Sequence, residues 1–489
     1  MKKIISAGFT ALMLSGCMFA EKTAYVDFSQ SASRIKKELH GAGYAPGLTG
    51  AKEQQYIKDM KLTYARTHDL ALGNRGQRVV DTHFVFPLEH ADPADPRNYY
   101  FTATDDLLKK IIAHGMLPYY RLGSSIEHSA DGHYNVHPPK DNLHYAKIFA
   151  GIIRHYNYGW ANGYKMNIPY WEIWNEPNVG HLMWTGTKEQ FCEFFAVVLK
   201  ELKREFPNEK IGGPALTWAD SKWILPLLDA CKKKGVTPDF ISFHTYGRET
   251  NGPAEMISDT RKMLDDAGYK NVELHLNEWH YTGFKKWSEL SSQKTTRQYQ
   301  DLYYSSWGMW GSDSAAYNVA MFCNFHDVPL DVSCYYGCGD GPWGFFTNEK
   351  LLNHNYYSVK MMGELVTGYP NRVKAGILRQ YRGDDQEWNG QMGVSFTDDE
   401  RPRGEYRARK MIAGTDASGK KGAILFADYR GMNEDVTIEI RGGEPENFDI
   451  TRLDQQDKEK KVSASFKNGI LTLKKDGAGS AVWLVKFDI

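Results

Sequence analysis

The chain has 489 residues, which is more than one hydrophobic core usually supports, so the sequence predicts at least two domains. Lysine plus arginine and aspartate plus glutamate both number 60, and this zero formal charge gives no reason to expect a nucleic acid or an acidic polymer as partner. Aromatic residues make up 13% of the chain, which slightly favours a carbohydrate-binding protein because Trp and Tyr rings stack on the C–H faces of sugars.

The N-terminus has the pattern of an exported bacterial lipoprotein. Two lysines precede a short apolar run at residues 4–14, which is too short to span a membrane. Residues 14–17 read Leu-Ser-Gly-Cys, similar to a bacterial lipobox, so we expect a signal peptide over 1–17, cleavage before Cys17 and a lipid on its thiol. The expected location is the periplasm, the outer membrane or the cell surface, with the lipid as the only membrane attachment. A plain signal peptide with a coincidental cysteine is the alternative.

The remaining cysteines are odd in number, so at least one of the five stays unpaired. Cys334 and Cys338 lie in one glycine-rich segment and could form a disulfide bond. No cysteine or histidine cluster has the spacing of a zinc site, and we expect neither a metal nor another cofactor.

From about residue 38 to residue 370, short apolar strands alternate with amphipathic helices, which is typical of a parallel α/β sheet. The predicted strands lie at residues 39–44, 62–66, 117–122, 170–175, 210–213, 240–244, 272–277 and 315–322. The predicted helices lie at residues 52–61, 105–114, 142–157, 188–205, 221–234, 255–267, 295–308 and 354–365. This pattern predicts a (β/α)8 TIM barrel. A doubly wound open sheet is the alternative; it is disfavoured because the sequence has no Walker-type phosphate loop.

After residue 370 the helical periodicity gives way to short alternating strands, which predicts an antiparallel β-sandwich accessory domain over residues 371–489. Its predicted strands lie at residues 376–381, 391–396, 421–428, 435–440, 447–453 and 481–486. The N-terminal segment 18–37 alternates in the same way at residues 24–29, so we expect it to pair with this domain.

The stretch 170–178, which reads YWEIWNEPN, is the most informative part of the chain. It begins as a buried aromatic strand and ends at Pro177, which cannot donate to a sheet and forces Glu176 into an extended or turn conformation. Glu176 is therefore expected at the C-terminal end of a barrel strand, where TIM-barrel enzymes hold their active sites. A Glu-Pro pair can also simply end a strand, but a second carboxylate favours a functional role.

The second carboxylate is Glu278, at the end of the predicted seventh strand. Glu172 and Glu273 are excluded because they lie deeper along their strands. Two facing glutamates indicate glycoside hydrolysis, in which one carboxyl donates a proton and the other attacks or stabilises the anomeric carbon. Other groups predicted at the strand ends or in the loop after the eighth predicted strand are Arg66, His68, Arg121, Asn175, His244, Tyr246, Trp279, Asn324, His326, Asp327 and Trp343.

The motifs 171–178, 66–68, 244–246 and 276–279 together resemble glycoside hydrolase family 39, a family of retaining (β/α)8-barrel enzymes that includes β-xylosidases and α-L-iduronidases. The resemblance implies that Glu176 is the general acid/base and Glu278 the nucleophile. It further implies the roles of five substrate-site residues: a sugar 2-hydroxyl contact for Asn175, a position beneath the nucleophile for Arg66, and subsite contacts for His68, His244 and Tyr246. We add Trp279 and Trp343 as predicted sugar contacts, and interpret Arg121 as an ion-pair residue at the barrel mouth.

The implied reaction is hydrolysis of an oligosaccharide or polysaccharide-derived substrate with retention, by double displacement. Long insertions at residues 67–104 and 324–346 could close the barrel mouth, which favours exo over endo action. The segment that follows residue 324 has no lysine or arginine before Lys350, which favours a neutral pentose or hexose over a uronic acid. Two alternatives remain open: another substrate within the family (iduronide, arabinoside, galactoside or glucoside), and a surface glycan-binding lipoprotein without catalysis.

Overall fold

The computed structural model describes residues 22–43, 51–68, 79–124, 136–284, 287–290, 292–347, 349–381 and 406–489. The helices are α1 Ala51–Asp59, α2 Thr82–Val85, α3 Thr102–Ala113, α4 Asn142–Tyr158, α5 Lys188–Glu205, α6 Ser221–Lys234, α7 Gly252–Asp266, α8 Thr296–Tyr303, α9 Ser312–Phe325 and α10 His354–Gly368. The first nine strands are β1 Ala24–Arg34, β2 Gly41–Gly43, β3 Tyr64–Arg66, β4 Leu117–Leu122, β5 Tyr170–Ile173, β6 Lys210–Leu216, β7 Phe240–Gly247, β8 Glu273–Tyr281 and β9 Val332–Tyr335. The others are β10 Asn371–Ile377, β11 Ala408–Thr415, β12 Lys421–Gly431, β13 Val436–Arg441, β14 Glu446–Leu453, β15 Lys460–Val462, β16 Ser465–Lys467, β17 Ile470–Leu473 and β18 Gly479–Asp488.

Strands β2 to β9 form a closed parallel barrel in chain order, which confirms the predicted TIM barrel. The barrel closes where β9 pairs with β2. Side chains alternate along each strand between the interior and the surrounding helices. On β4, the Tyr119 hydroxyl lies 3.0 Å from His275 Nδ1 inside the barrel, whereas Tyr120 packs outward against Tyr156 of α4. Polar groups therefore reach the interior at every second residue.

The prediction for the eighth strand is wrong. Residues 315–322 belong to helix α9, and the eighth strand is β9. Every residue of α9 is buried, so the helix has no polar face and its sequence lacks the 3.6-residue pattern that distinguishes a helix from a buried strand. Asn324, His326 and Asp327 consequently lie at the end of this helix instead of after a strand. They bind the Thr250 carbonyl, the Lys36 amide and Arg372, respectively.

The antiparallel C-terminal domain is one continuous ten-stranded sheet, with the order β15-β14-β18-β12-β11-β10-β1-β13-β17-β16. The N-terminal strand β1 lies within it, antiparallel to β10 and parallel to β13. Along β12, Ile424 and Phe426 pack into the sheet's own core, whereas Leu425 and Ala427 pack into the core of the barrel. The two domains therefore share buried apolar surface. The predicted strand 391–396 lies outside the described residues, while strands β11 and β15 to β17 were not predicted.

The cysteines from Cys192 onward are all buried free thiols, so no disulfide bond joins Cys334 to Cys338. Cys17 and the rest of the predicted signal peptide lie outside the described residues. Within the described part of the chain, none of the helices combines the length and apolar character that a membrane span requires.

Candidate active site

Strand β5 delivers Asn175 and Glu176 to the rim of the barrel through a tight turn. Trp174 and Glu176 have φ angles of 77° and 44°, which are uncommon for residues other than glycine. The Glu176 amide donates a hydrogen bond to the Ala215 carbonyl at 2.9 Å. The buried Trp174 indole donates to the Met183 carbonyl at 2.8 Å. These contacts fix the direction in which the Glu176 side chain leaves the backbone.

Glu278 reaches the same place from strand β8 and is held by side chains of β3 and β7. Arg66 donates to its Oε1 at 2.8 Å, and the Tyr246 hydroxyl donates to its Oε2 at 2.7 Å. His244 Nδ1 lies 3.3 Å from the same Oε2. The guanidinium and the phenol thus each bind one oxygen of the carboxylate and fix its orientation.

Arg66 connects Glu278 to the rest of the site. Its fully buried guanidinium donates to Glu172 and Asn175 at 2.7 Å each, in addition to Glu278. Burial acts against the charged guanidinium, but the carboxylates of Glu172 and Glu278 outweigh this effect and raise the pKa of Arg66. Because Arg66 fixes the oxygen of the Asn175 amide, the NH2 group of that amide is the part directed to other partners.

The side chains of Glu176 and Glu278 face one another across the barrel mouth. Glu176, His244 and Glu278 each place one ligand atom so that all three atoms lie within 4.8 Å of one another. His244 Nδ1 lies 2.7 Å from Glu176 Oε1 and thus contacts both carboxylates. Burial raises the pKa of the Glu176 carboxyl to about 8, although the charge of Arg66 partly offsets this. Burial also lowers the pKa of His244 to about 4, so the imidazole is neutral near pH 7.

Comparison with known proteins identifies the family that has this arrangement. The model of glycosyl hydrolases family 39 matches residues 26–278, more than half of the chain. The chain belongs to glycosyl hydrolase family 39. It is 27% identical over 282 residues to a beta-xylosidase of Caldicellulosiruptor saccharolyticus, covering 52% of this chain and 53% of that protein. A beta-xylosidase of Geobacillus stearothermophilus is 23% identical over 257 residues, covering 47% and 50%. The chain thus spans about half the length of these curated relatives.

Solved structures extend the likeness of this family 39 protein to nearly the whole chain. A glucosidase from Croceicoccus marinus matches with a TM-score of 0.71 and 20% identity, covering 96% of this chain and 99% of the other. A monomeric beta-xylosidase from Caulobacter crescentus matches with a TM-score of 0.64 and 15% identity, at the same coverage. At such identities the match shows the fold, which includes both the barrel and the C-terminal sheet.

Two further predicted residues of the family 39 site also lie at the mouth. His68 Nε2 is 3.7 Å from Glu278 Oε1. The Trp343 ring is 5.5 Å from that of Tyr246, measured between centroids, so Trp343 forms an aromatic wall beside the Tyr246–Glu278 contact. Arg121 is buried and paired with Asp81, in line with its interpretation as an ion-pair residue.

Trp279 is not brought to the site. Its indole donates to Ser333 Oγ at 2.7 Å and packs against Phe325 and Tyr335, in the layer between barrel and helices. Successive strand residues face opposite sides of a sheet, so an inward Glu278 requires an outward Trp279. The alternation itself was a signal that could have excluded this residue.

A layer beneath the site was missed by the sequence reasoning. Glu172, deep in the barrel as predicted, accepts hydrogen bonds from Ser242 at 2.6 Å and from Asn277, besides its contact with Arg66. Asn277 faces inward although Glu278 follows it directly, because the pairing of β7 with β8 shifts register at this point. The spacing of Ser242 two residues before His244 was an available signal, whereas the register shift leaves no mark in the sequence.

The group of Glu176, His244 and Glu278 has a donor set that could also hold a metal ion. The Arg66 guanidinium, 2.8 Å from Glu278, already supplies the positive charge at this position. A divalent cation placed there would face that charge at close range, so the residues present fit a carboxyl pair better than a metal centre.

Proposed function

We propose that this protein is a retaining glycoside hydrolase that uses Glu278 as nucleophile and Glu176 as general acid/base. The observation that carries the proposal is the separation of the two carboxyl groups. Retaining enzymes hold them about 5–5.5 Å apart, whereas inverting enzymes leave about 6.5–9.5 Å for a water molecule. Oxygens of Glu176 and Glu278 within 4.8 Å of one another fit the retaining geometry.

In the first step Glu278 attacks the anomeric carbon and forms a covalent glycosyl-enzyme, while Glu176 gives its proton to the leaving oxygen. The raised pKa of about 8 keeps Glu176 protonated at neutral pH, as a general acid requires. Arg66 and Tyr246 hold the attacking carboxylate in place. The NH2 group of Asn175 is positioned by Arg66 to donate to a sugar hydroxyl, a contact that can strengthen as the transition state forms.

In the second step Glu176 must act as a base and take a proton from water. Once Glu278 is an ester it no longer neutralises Arg66, whose charge lowers the pKa of Glu176 already in the free protein. The guanidinium then keeps only Glu172 as a carboxylate partner, so its charge lowers the pKa of Glu176 further, and Glu176 becomes an effective base. Water then attacks the anomeric carbon, Glu176 accepts the proton, and Glu278 is released with retention of configuration.

For the substrate we propose a neutral sugar at the end of a chain, in the manner of a β-xyloside. Two relatives are named beta-xylosidases. Around Glu278 the described positive group is Arg66, which already binds three protein side chains and is fully buried. The stretch 332–347 beside the mouth contains no lysine or arginine that could pair with a uronate.

The test uses Glu278→Ala and Glu176→Ala with aryl glycosides of xylose, arabinose, glucose and galactose. Glu278→Ala should abolish turnover. Glu176→Ala should slow substrates with poor leaving groups far more than activated ones, and azide should restore its activity as a glycosyl azide of retained configuration. Equal loss on both substrate types without azide rescue would rule out the acid/base role. Saturable binding of the panel by the wild-type protein without any hydrolysis would instead indicate a glycan-binding protein.

We also propose that the chain is an exported lipoprotein anchored through Cys17. The support is the lipobox-like sequence at residues 14–17. Mass spectrometry of the membrane fraction from a bacterial host should find a diacylglyceryl group on Cys17. A Cys17→Ser variant should lack this group and should be released as a soluble protein.

A further inference from the structure

Described residues between β8 and α9, from Glu289 to Trp307, line a second cavity on the barrel. This segment follows a barrel strand, so it belongs to the C-terminal face on which barrel enzymes bind their ligands. The cavity has a volume of about 210 Å³ and is lined by Glu289, Ser292, Gln293, Gln298, Asp301, Leu302 and Trp307. This is the volume of about seven water molecules, enough for one sugar ring.

The lining combines an aromatic surface with many hydrogen-bonding groups. Trp307 is 42% exposed, whereas Trp171, Trp174, Trp184 and Trp483 are fully buried. An exposed indole next to amides, a hydroxyl and carboxylates is the combination that binds a sugar ring, whose C–H face stacks on the aromatic ring while its hydroxyls bind the polar groups.

The charge of the cavity restricts the ligand further. Among the described residues that line it, the charged ones are Glu289 and Asp301. Arg297 pairs with Asp301 at 3.0 Å, but its side chain is 83% exposed and is not part of that lining. The charge of the described lining is therefore negative, which disfavours uronates, sulfates and phosphates. A neutral saccharide is the class that fits.

The cavity is joined to the catalytic site through packed side chains. The Tyr281 hydroxyl donates to the Trp307 carbonyl at 2.8 Å, and Tyr281 ends the strand that carries Glu278. Leu302 belongs to an aromatic cluster with Phe284, against which Trp343 of the mouth packs. Tyr281 lies three residues, or about 10 Å, beyond Glu278, so the cavity is separate from the catalytic pocket.

We propose that the Trp307 cavity is a secondary saccharide site that holds a neutral sugar unit of an oligosaccharide or polysaccharide. The choice of a saccharide rests on the proposed glycosidase function. By retaining a glycan chain beside the mouth, the site would raise the local concentration of chain ends near Glu278.

The experiment measures binding without turnover, in full-length Glu278→Gln protein. Isothermal titration with xylotriose, cellotriose, laminaritriose and mannotriose should detect binding of at least one trisaccharide. Adding Trp307→Ala should weaken that binding about tenfold or remove one class of site, by loss of the stacking surface. The Tyr281 hydrogen bond goes to a backbone carbonyl, so the substitution leaves it in place.

Tyr158→Ala is the matched control, because Tyr158 is 50% exposed at the opposite end of the barrel, at the end of α4. It should leave the titrations unchanged. The second readout is fluorine NMR of protein labelled at its tryptophans, in which the Trp307 signal is the one missing in Trp307→Phe. Saturation with a trisaccharide that binds should shift this signal. The proposal is overturned if no trisaccharide moves this signal, or if Trp307→Ala and Tyr158→Ala bind alike. Both readouts are independent of hydrolysis, so they stand even if the proposed glycosidase function fails.

Discussion

At the scale of single residues, the raised pKa of Glu176 predicts how activity depends on pH. Its pKa of about 8 is raised by burial, so the proton required for the first step is lost as the pH rises through that value. We expect kcat/KM for a glycoside with a poor leaving group to fall about tenfold per pH unit above 8. Initial rates measured between pH 6 and 10 would show this limb.

The control separates Glu176 from other groups that titrate in the same range. An activated aryl glycoside needs little acid assistance, so its alkaline limb should be shallow, and Glu176→Ala should lose the limb with both substrates. An alkaline limb that persists in Glu176→Ala would assign the limb to another residue.

The raised pKa of Glu176 also affects the stability of the fold. The folded state keeps the Glu176 proton up to a pH of about 8, whereas the unfolded chain releases it above about 4.5. The contribution of this proton to the free energy of unfolding is therefore complete below pH 4.5 and is lost as the pH rises through about 8.

Single residues were also where the sequence was most informative. Glu176 and Glu278 could be proposed as a pair because Pro177 and the strand pattern place both at the ends of barrel strands. Glu172 could be set aside by depth alone, and the structure places it beneath Arg66. What the sequence could not provide is which contacts each group makes, such as the sharing of His244 Nδ1 between two carboxylates. Those contacts depend on register between strands that are distant in the chain.

At the scale of elements, the close approach of β4 to the turn after β5 makes a second prediction. Gly123 follows β4 with a φ of +122°, and a Cβ there would lie 2.8 Å from the Trp174 ring. Gly123→Ala should therefore displace Trp174 and, with it, the turn that carries Asn175 and Glu176. We expect kcat to fall about 100-fold, the effect of moving a catalytic group by about 1 Å. Steady-state kinetics on a purified, folded variant would measure it.

Gly115→Ala is the matched control for this variant. Gly115 also has a positive φ, of +87°, but a Cβ there would meet nothing within 4 Å. Both substitutions carry the backbone strain of about 1–2 kcal/mol, so thermal denaturation should show a loss of stability for each. Only Gly123→Ala should lose activity. Equal kcat values for the two variants would show that Trp174 does not position Glu176.

Elements were predictable where one of their faces meets solvent. Helix α5 has a capping box at Thr187 and Gln190 and a buried stripe, and its predicted bounds agree with the structure. Helix α9 has neither an exposed face nor a side-chain N-cap, so a run of small and apolar residues resembled a strand. The helix was mistaken for a strand because its covering strands β11, β12 and β18 lie more than 80 positions further along the chain.

At the scale of the whole molecule, the sequence indicated two domains but not how they join. Tyr429 on β12 donates to the Arg248 carbonyl at 3.0 Å, and Lys410 on β11 donates to Asn251 at 2.9 Å. Both partners lie just after β7, which carries His244 and Tyr246. Contacts between two domains depend on the shapes of both folded surfaces, so they cannot be predicted from a local sequence pattern. The sheet thus supports the loops that surround the catalytic face.

A buried polar contact between the domains predicts that they unfold together. Arg430 of the sheet donates to Asp313 of α9 at 2.7 Å and to the Tyr281 hydroxyl at 3.2 Å, while Ser480 donates to Asp313 at 2.5 Å. Arg430→Met would leave the buried Asp313 carboxylate without its cation, which costs about 3–5 kcal/mol. Arg441→Met, at an exposed ion pair with Glu439, should cost less than about 1 kcal/mol.

Urea denaturation followed by far-UV circular dichroism and by residual activity would measure both variants. Since α9 is buried beneath the sheet and lies against the barrel, losing the sheet would expose a helix whose residues are all buried in the folded protein. We therefore expect one transition in each protein, with the same midpoint by both probes, shifted to lower urea in Arg430→Met. A separate early transition in which the sheet unfolds and activity survives would show instead that the barrel is stable by itself, and that the contacts of Arg430 and Asp313 only tether the sheet to it.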